Sequence, residues 1–262
     1  MQSVTSNADI CQMLQGREVL HRFTALLFAE PTCDNWQRLH LVVRDRLLPA
    51  AADWLRGQSE IDEVPLSRGE LPAEFLQPSL PLGRLPNSFE QFVDAYYRLF
   101  GLVAAGGCPL YATEYIPAKH AVQRSQKLAD IAGYYRAFGL QLSPQYRERP
   151  DHIVCQFQFM AWLAELERRA WTSNDELSQE RCQICRRAQE RFFGEHVASW
   201  TPCLATLIVR HDPGGFYGAA AEWLAAWVHV ERALLNVPAP EEHAEPSLPE
   251  PPELCPGCPL AP

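Results

Sequence analysis

Apolar residues recur at the spacing of an α-helix along most of this sequence. Near the start, Leu20, Phe23, Leu27 and Phe28 follow the positions i, i+3, i+7 and i+8, which lie on one face of a helix. No segment shows the alternation of apolar and polar residues that is typical of a half-buried strand. The sequence therefore predicts an all-α fold, a single compact domain of about nine or ten helices.

Local signals predict where several of these helices begin and break. A helical stretch from about residue 34 to residue 56 is expected to break near Pro49, because proline lacks the main-chain N–H of a helix interior. Ser88 has the character of an N-cap, and Gln91 three residues later completes a capping box. Pro150 is predicted to occupy the first position of a later helix, where proline is favoured.

The two ends of the chain differ in composition. Residues 1–236 contain the helical patterns, interrupted by two irregular segments at 57–86 and 101–117. Residues 237–262 contain five acids, no Lys or Arg, and nine of the 22 prolines. A segment of this composition cannot bury enough apolar surface to form a core. We therefore expect a helical domain over 1–236 and an extended tail over 237–262.

The charge balance excludes several classes of function. The formal net charge is −9, and a negative surface repels phosphate backbones and anionic lipids, so we expect no nucleic-acid partner. The longest apolar stretch is interrupted by Glu222, His229 and Glu231, so we expect no membrane insertion.

The first residues have no basic region followed by an apolar run, so they do not resemble a secretory signal. The nine cysteines are then expected to be reduced thiols in the cytoplasm.

The usual signatures of enzymes are missing from the sequence. The two glycine pairs, Gly106-Gly107 and Gly214-Gly215, are not followed by Lys-Ser or Lys-Thr as in a phosphate-binding loop. There is also no GxSxG or HExxH motif. A di-iron bundle requires two Glu-x-x-His pairs, whereas the chain has one, formed by Glu18 and His21. We therefore expect neither catalysis nor a cofactor.

Two Cys-x-x-Cys pairs leave an alternative open. Cys182 and Cys185 form one pair, and Cys255 and Cys258 form the other, within the tail. Together they have the composition of a four-thiolate zinc or iron–sulfur site, which would make the chain a thiol-dependent metal or redox protein. The competing interpretation is that the first pair consists of ordinary helix residues and the second is solvated.

Several segments, in order and spacing, resemble one known family. Residues 108–140 begin with CPLYATEYIP, and residues 148–160 contain the pattern E-x-P-D-H followed by Phe-Met. Residues 192–200, FFGEHVASW, match a family element built on Phe, His and Trp, and Phe216-Tyr217 opens the last helix. Over about residues 15–236 the chain resembles the TorD/DmsD/NarJ family of molybdoenzyme chaperones.

The resemblance implies a fold and a function. Such proteins are all-helical, have no enzymatic activity, and bind the immature catalytic subunit of a molybdopterin enzyme of the dimethyl sulfoxide reductase family. Many also bind its twin-arginine signal peptide and hold the client in the cytoplasm until the cofactor is inserted. The P-L-Y-x-T-E-Y element is similar to that of the subgroup serving type II enzymes, although Ala112 stands where a second acid is expected.

The E-x-P-D-H element supplies the first candidate client-binding residues: Glu148, Asp151 and His152. Asp151 and His152 are predicted to lie in the first turn of a helix, where an acid offsets the positive end of the helix dipole. A carboxylate at that position can also pair with a guanidinium of the client. His152 and Glu148 have an equally simple structural interpretation as hydrogen-bond partners of the neighbouring loop.

The loop at 101–117 supplies the other candidates, Tyr111, Glu114 and Tyr115. Its aromatic residues can anchor an apolar peptide, and local loop packing is the alternative. His196 and Trp200 lie on an apolar stripe and are expected to belong to the core.

Overall fold

The computed structural model describes residues 7–101, 107–141, 148–173 and 175–240, and for Ala118 the main chain only. Over these residues the chain forms ten α-helices, and the prediction of an all-α domain is confirmed. The helices are α1 Asn7–Leu27, α2 Cys33–Val42, α3 Leu47–Arg56, α4 Ser79–Leu82, α5 Phe89–Phe100, α6 Ala121–Ala137, α7 Ile153–Thr172, α8 Ser178–Phe192, α9 Thr201–His211 and α10 Phe216–Leu234.

The last helix forms the centre of the core. Every residue of α10 except Glu222 is buried, which agrees with its apolar sequence on all sides. It packs against α9, α4 and α1, while α1 also packs along α7 and α7 along α8. The indole of Trp223 donates a hydrogen bond to Thr24 Oγ1 at 2.9 Å, so this large buried side chain is also satisfied as a donor.

A buried ionic network joins α1 to α10. The Arg17 guanidinium donates to both carboxylate oxygens of Glu231, at 2.9 and 2.6 Å, and to Gln189 of α8 at 2.7 Å. His21 Nδ1 accepts from the Trp227 indole at 3.2 Å, so the proton of the neutral ring lies on Nε2, which donates to Glu231 Oε1 at 2.9 Å. Burial lowers the pKa of His21 and agrees with this neutral form.

A second buried ion pair fixes the irregular segment before α5. Glu70 receives two hydrogen bonds from Arg232, both at 2.8 Å, and one from the main-chain N–H of Ser67 at 2.7 Å. Arg232 also donates to Pro65 O at 2.7 Å. Segment 57–86 is therefore tied to the end of α10. It contains two 3₁₀ turns and the short helix α4.

The start of α7 differs from the sequence prediction. The helix begins at Ile153, and His152 is its N-cap, whose Nδ1 accepts from Val154 N at 3.3 Å. The placement of Pro150 at the first helical position was therefore wrong, as was that of Asp151 and His152 in the first turn. The reason is that Pro150 and Asp151 lie in a turn, in which His152 N donates to Arg149 O at 3.1 Å, and that His152 is extended and paired with another segment.

The break in the second helical stretch lies ahead of its predicted position. α2 ends at Val42 and α3 begins at Leu47, whose main-chain N–H is accepted by Asp45 Oδ1 at 2.8 Å. Pro49 lies in the first turn of α3, where the N–H that proline lacks would have no partner within the helix. The proline therefore fits inside the helix that it was expected to interrupt.

The predicted N-cap of α5 is confirmed. Ser88 accepts a hydrogen bond from Gln91 N at 3.3 Å, and the Gln91 side chain accepts from Asn87 N at 3.1 Å. The reciprocal bond thus reaches one residue further back than in a standard capping box. Among the described residues, no helix is both long enough and apolar enough to cross a membrane.

Candidate functional site

Two segments that are far apart in sequence, residues 110–115 and 148–153, lie side by side at the start of α7. Ala112 N donates to Asp151 O at 3.1 Å, and Ile153 N donates to Leu110 O at 2.9 Å. These bonds form an isolated antiparallel bridge between Tyr111 and His152. All six predicted client-binding residues lie in the two bridged segments, and the structure brings them together: Tyr111, Glu114, Tyr115, Glu148, Asp151 and His152.

Asp151 is fully buried, and its carboxylate is bound within the chain. Oδ2 accepts from the main-chain N–H of Thr113 at 3.0 Å and from its hydroxyl at 2.7 Å. Arg149 donates from Nε to Oδ1 and from Nη2 to Oδ2, both at 3.1 Å. This forked geometry is the strongest form of carboxylate–guanidinium contact. Asp151 therefore holds Thr113 and Arg149 in place, and no part of its side chain is exposed.

Arg149 was not singled out from the sequence, yet its guanidinium contacts several of the predicted residues. Its guanidinium also donates to Thr113 Oγ1 at 3.0 Å and to Glu114 Oε1 at 3.3 Å from two nitrogens. The guanidinium carbon lies 4.3 Å from the centroid of the Tyr111 ring, within cation–π range. A basic residue flanked by acids was the available signal, since Arg149 stands between Glu148 and Asp151.

Tyr111, Glu148 and His152 form the second half of the site. The Tyr111 hydroxyl donates to Glu148 Oε2 at 2.5 Å, and His152 Nε2 lies 3.9 Å from the same oxygen. Burial raises the pKa of Tyr111, and the hydrogen bond to Glu148 adds to this effect. Burial also lowers the pKa of His152, against the opposing influence of Glu148. Tyr111 is therefore a neutral donor and His152 a neutral ring near pH 7.

Two predicted aromatic residues differ in position. The ring of Tyr115 is buried and packs 5.1 Å from that of Trp200, while its hydroxyl donates to Pro109 O at 2.9 Å. Tyr115 therefore packs the loop against Trp200, the N-cap residue of α9. Tyr111 remains partly exposed. His196 and Trp200 are buried, as predicted.

The accessible part of the site is its rim. Glu114, Glu148 and Arg149 keep 35%, 25% and 43% of their side-chain surface exposed, so two acidic side chains and one basic side chain are partly accessible near Tyr111. Arg124 donates to Ile116 O at 2.8 Å from Nε and lies 3.8 Å from Glu114. A surface with these groups can accept a cationic head and an adjoining apolar chain.

The thiol-based alternative is not supported. Cys182 and Cys185 are buried within α8, and the Cys182 thiol faces the Glu167 carbonyl at 3.7 Å. Burial raises the pKa of the Cys185 thiol to about 11, which disfavours the thiolate that binds metal. Within the described ranges, no group of three or more His, Cys, Asp or Glu side chains has the arrangement of a metal site. Cys255 and Cys258 lie outside the described residues.

Several known proteins are similar to this chain in sequence. A selenate reductase assembly chaperone of Thauera selenatis is 31% identical over 115 residues, which are 44% of this chain and 55% of the relative. A chaperone protein TorD of Photobacterium profundum is 25% identical over 137 residues, 52% of this chain and 60% of the relative. A perchlorate reductase assembly chaperone of Dechloromonas aromatica is 24% identical over 167 residues. The chain thus spans less than two thirds of the length of the first two.

A family-wide sequence model provides the assignment. The model described as nitrate reductase delta subunit matches residues 73–206, just over half of the chain. The matched range begins at the second 3₁₀ turn of segment 57–86 and ends within α9, so it includes both bridged segments. With this match and the all-helical fold, the chain belongs to the TorD/DmsD/NarJ family.

Proposed function

We propose that this protein is an assembly chaperone of a molybdopterin oxidoreductase and acts by binding rather than by catalysis. Its client is the catalytic subunit before cofactor insertion, and the complex forms in the cytoplasm. The observation that supports this most strongly is that relatives are named as assembly chaperones of selenate and perchlorate reductases, together with a family match over residues 73–206 that includes the site. The P-L-Y-x-T-E-Y element favours a client among the type II enzymes.

We propose that the client's twin-arginine signal peptide binds at the two bridged segments. A guanidinium of the peptide pairs with the exposed carboxylates of Glu114 and Glu148, because charge-assisted forked contacts are the natural partners of arginine. The apolar stretch of the peptide lies against the exposed part of Tyr111. In the free protein Asp151 and His152 fix the loop and the start of α7, and both side chains are buried.

Co-purification tests the function. This chain is co-expressed with the catalytic subunit of the molybdopterin oxidoreductase encoded nearest to its gene, in a host that makes the cofactor and in one that cannot. We expect a one-to-one complex in the cofactor-deficient host and little complex with the mature subunit. Equal capture of both forms, or of neither, would show that the chain is not a chaperone of that subunit.

The binding surface has its own test within the same system. Glu148→Gln and Glu114→Gln remove the exposed charges and keep side-chain size, so they are expected to weaken capture of the apo subunit while the thermal midpoint holds. Glu60→Gln, an exposed acid in the first 3₁₀ turn of segment 57–86, is the matched control. Undiminished capture by both site variants would place client binding elsewhere on the molecule.

A further inference from the structure

The exposed edge of the candidate site already holds a guanidinium, and it comes from the chain itself. Arg149 bridges the carboxylates of Asp151 and Glu114, bonds to the Thr113 hydroxyl and lies against the Tyr111 ring. These four partners, Tyr111, Thr113, Glu114 and Asp151, are here called the guanidinium cradle. The cradle provides a fork of acceptors, a hydroxyl oxygen and an aromatic face, which are the groups that recognise arginine in proteins.

The cradle does not depend on Arg149 for its shape. Asp151 is held by two bonds from Thr113, at 3.0 and 2.7 Å, and the bridge bond from Ala112 N to Asp151 O fixes the main chain. Arg149, by contrast, enters from the solvent side and keeps 43% of its side-chain surface exposed. Rotation of one exposed side chain therefore vacates the cradle without moving either bridged segment.

We infer that the cradle is a guanidinium-binding site which Arg149 fills in the free protein and which an arginine of the client fills after Arg149 swings out. The inference rests on the proposed function for the identity of the incoming arginine. Arg149 is then an internal competitor. It keeps the buried Asp151 carboxylate paired when no client is bound, and it lowers the affinity for weakly fitting peptides.

Chemical rescue tests the site without any client. Arg149→Met keeps the apolar stem and vacates the cradle, so its thermal midpoint is expected to fall and to be restored in part by millimolar arginine amide. Lysine amide at equal ionic strength should restore less, because an ammonium cannot form the fork. The wild type and Arg187→Met, which removes an exposed arginine of α8, should respond equally to the two amides.

Two results of the rescue would overturn the inference. One is an equal response of Arg149→Met to arginine amide and lysine amide, which would show only an ionic effect. The other is a rescue that persists when Asp151→Asn is added to Arg149→Met. If Arg149→Met does not fold, Arg149→Lys takes its place, because the retained positive charge stays near Asp151 while the forked contacts are left vacant.

Competition is tested with a leader-type peptide that contains an Arg-Arg pair before an apolar stretch, and with its Lys-Lys counterpart. Full-length Arg149→Met should bind the Arg-Arg peptide about tenfold more tightly than the wild type, equivalent to about 1.4 kcal/mol, and should not gain for the Lys-Lys peptide. Equal affinities of variant and wild type would overturn the inference and leave the chaperone function standing. Rescue by arginine amide with no binding of either peptide would support the site and contradict the signal-peptide role.

Discussion

The carboxylate of Asp151 accepts hydrogen bonds from both the main-chain N–H and the hydroxyl of Thr113, at 3.0 and 2.7 Å. One buried side chain thus joins two segments separated by 38 residues in sequence. An acid near a helix start was expected to act on the helix dipole, a contribution of about 0.3–1 kcal/mol. The observed bonds give Asp151 a tertiary role instead. Their contribution to stability is expected to exceed that of the dipole, because hydrogen bonds to a charged group contribute about 1.5–3 kcal/mol each.

Asp151→Asn is therefore expected to destabilise the fold by more than a dipole effect would. The amide keeps the volume of the carboxylate but removes the charge that pairs with Arg149, so we expect a loss of about 1.5–3 kcal/mol in the free energy of unfolding. Urea unfolding at pH 7 measures it. Asp130→Asn, an exposed acid of α6, is the control and should cost less than about 0.5 kcal/mol.

The same Asp151 variant separates structure from recognition. Client binding per folded molecule should fall, because the cradle loses the carboxylate that holds the Thr113 loop. A stability change of the size seen for Asp130→Asn would mean that the observed bonds contribute nothing net, and would remove the basis for assigning Asp151 a positioning role.

The pairing of Arg17 with Glu231 leads to a second prediction. Both side chains are fully buried, so Glu231→Ala removes both close carboxylate contacts of the guanidinium, leaves it with Gln189 at 2.7 Å and Glu167 at 3.9 Å, and is expected to cost about 3–5 kcal/mol. Glu222→Ala on the same helix is the matched control, because Glu222 is the only residue of α10 that is not buried. Its cost should stay below about 1 kcal/mol.

A double variant distinguishes pairing from packing. Arg17→Met with Glu231→Leu removes both charges and keeps apolar volume, so the combined cost should be well below the sum of the single changes. Thermal or urea unfolding of the four proteins completes the cycle. Additive costs would indicate that Arg17 and Glu231 stabilise the fold through packing, independently of each other.

Acid should destabilise the protein through its buried carboxylates. Burial raises the pKa of Glu70, but the hydrogen bonds from Arg232, the nearby His229 ring at 3.5 Å and the bond from Ser67 N outweigh it and lower the value from 4.5 to about 2. The Arg17 guanidinium likewise lowers the pKa of Glu231 against burial. A pKa depressed in the folded state contributes stability that is present above the unfolded value and is lost as the pH falls towards the folded value.

We therefore expect the free energy of unfolding to decrease between about pH 5 and pH 2, by about 1.4 kcal/mol for each unit of pKa depression. Urea titrations at several pH values measure the slope. Glu70→Gln should be less stable at pH 7 and show a shallower slope, since glutamine does not titrate. A variant with the same slope as the wild type would show that Glu70 does not contribute to the acid sensitivity.

The sequence was sufficient for features with local causes. Helical periodicity predicted the all-α domain, and Ser88 predicted the start of α5, because an N-cap involves only the next turn. It was insufficient for α7, since the bridge from Leu110 and Ala112 holds Asp151 in a turn and His152 extended, so the helix starts only at Ile153. No local pattern indicates a bond between residues that lie about 40 positions apart.

The same distinction between local causes and contacts with distant residues applies to the candidate site. The resemblance to a family selected six residues that lie together, but it did not distinguish the buried Asp151 and Tyr115 from the partly exposed Tyr111, Glu114 and Glu148. Arg149 was missed because it occupies the variable position of the E-x-P-D-H element. Its role depends on Glu114 and on the ring of Tyr111, and both come from the other segment.

The boundary of the C-terminal tail gives the last prediction. A tail over 237–262 was expected from composition, but Val237 is buried, and its main-chain N–H donates to Arg232 O at 2.9 Å. Val237 Cγ1 also lies so close to Gly194 that a Cβ added there would be 3.0 Å away. The packed body therefore extends past residue 236, at least to Val237.

Two truncations test this boundary. Deletion of residues 241–262, which contain the five acids of the tail, should change the free energy of unfolding by less than about 1 kcal/mol. Deletion of 237–262 also removes the buried valine and should cost a further 1.5 kcal/mol or so, the lower range for burying such a side chain. Calorimetric melting of both proteins with and without chelator checks the difference. A large loss of stability on the shorter deletion, reproduced when chelator is added to the full-length chain, would instead show that Cys255 and Cys258 hold the tail through a metal.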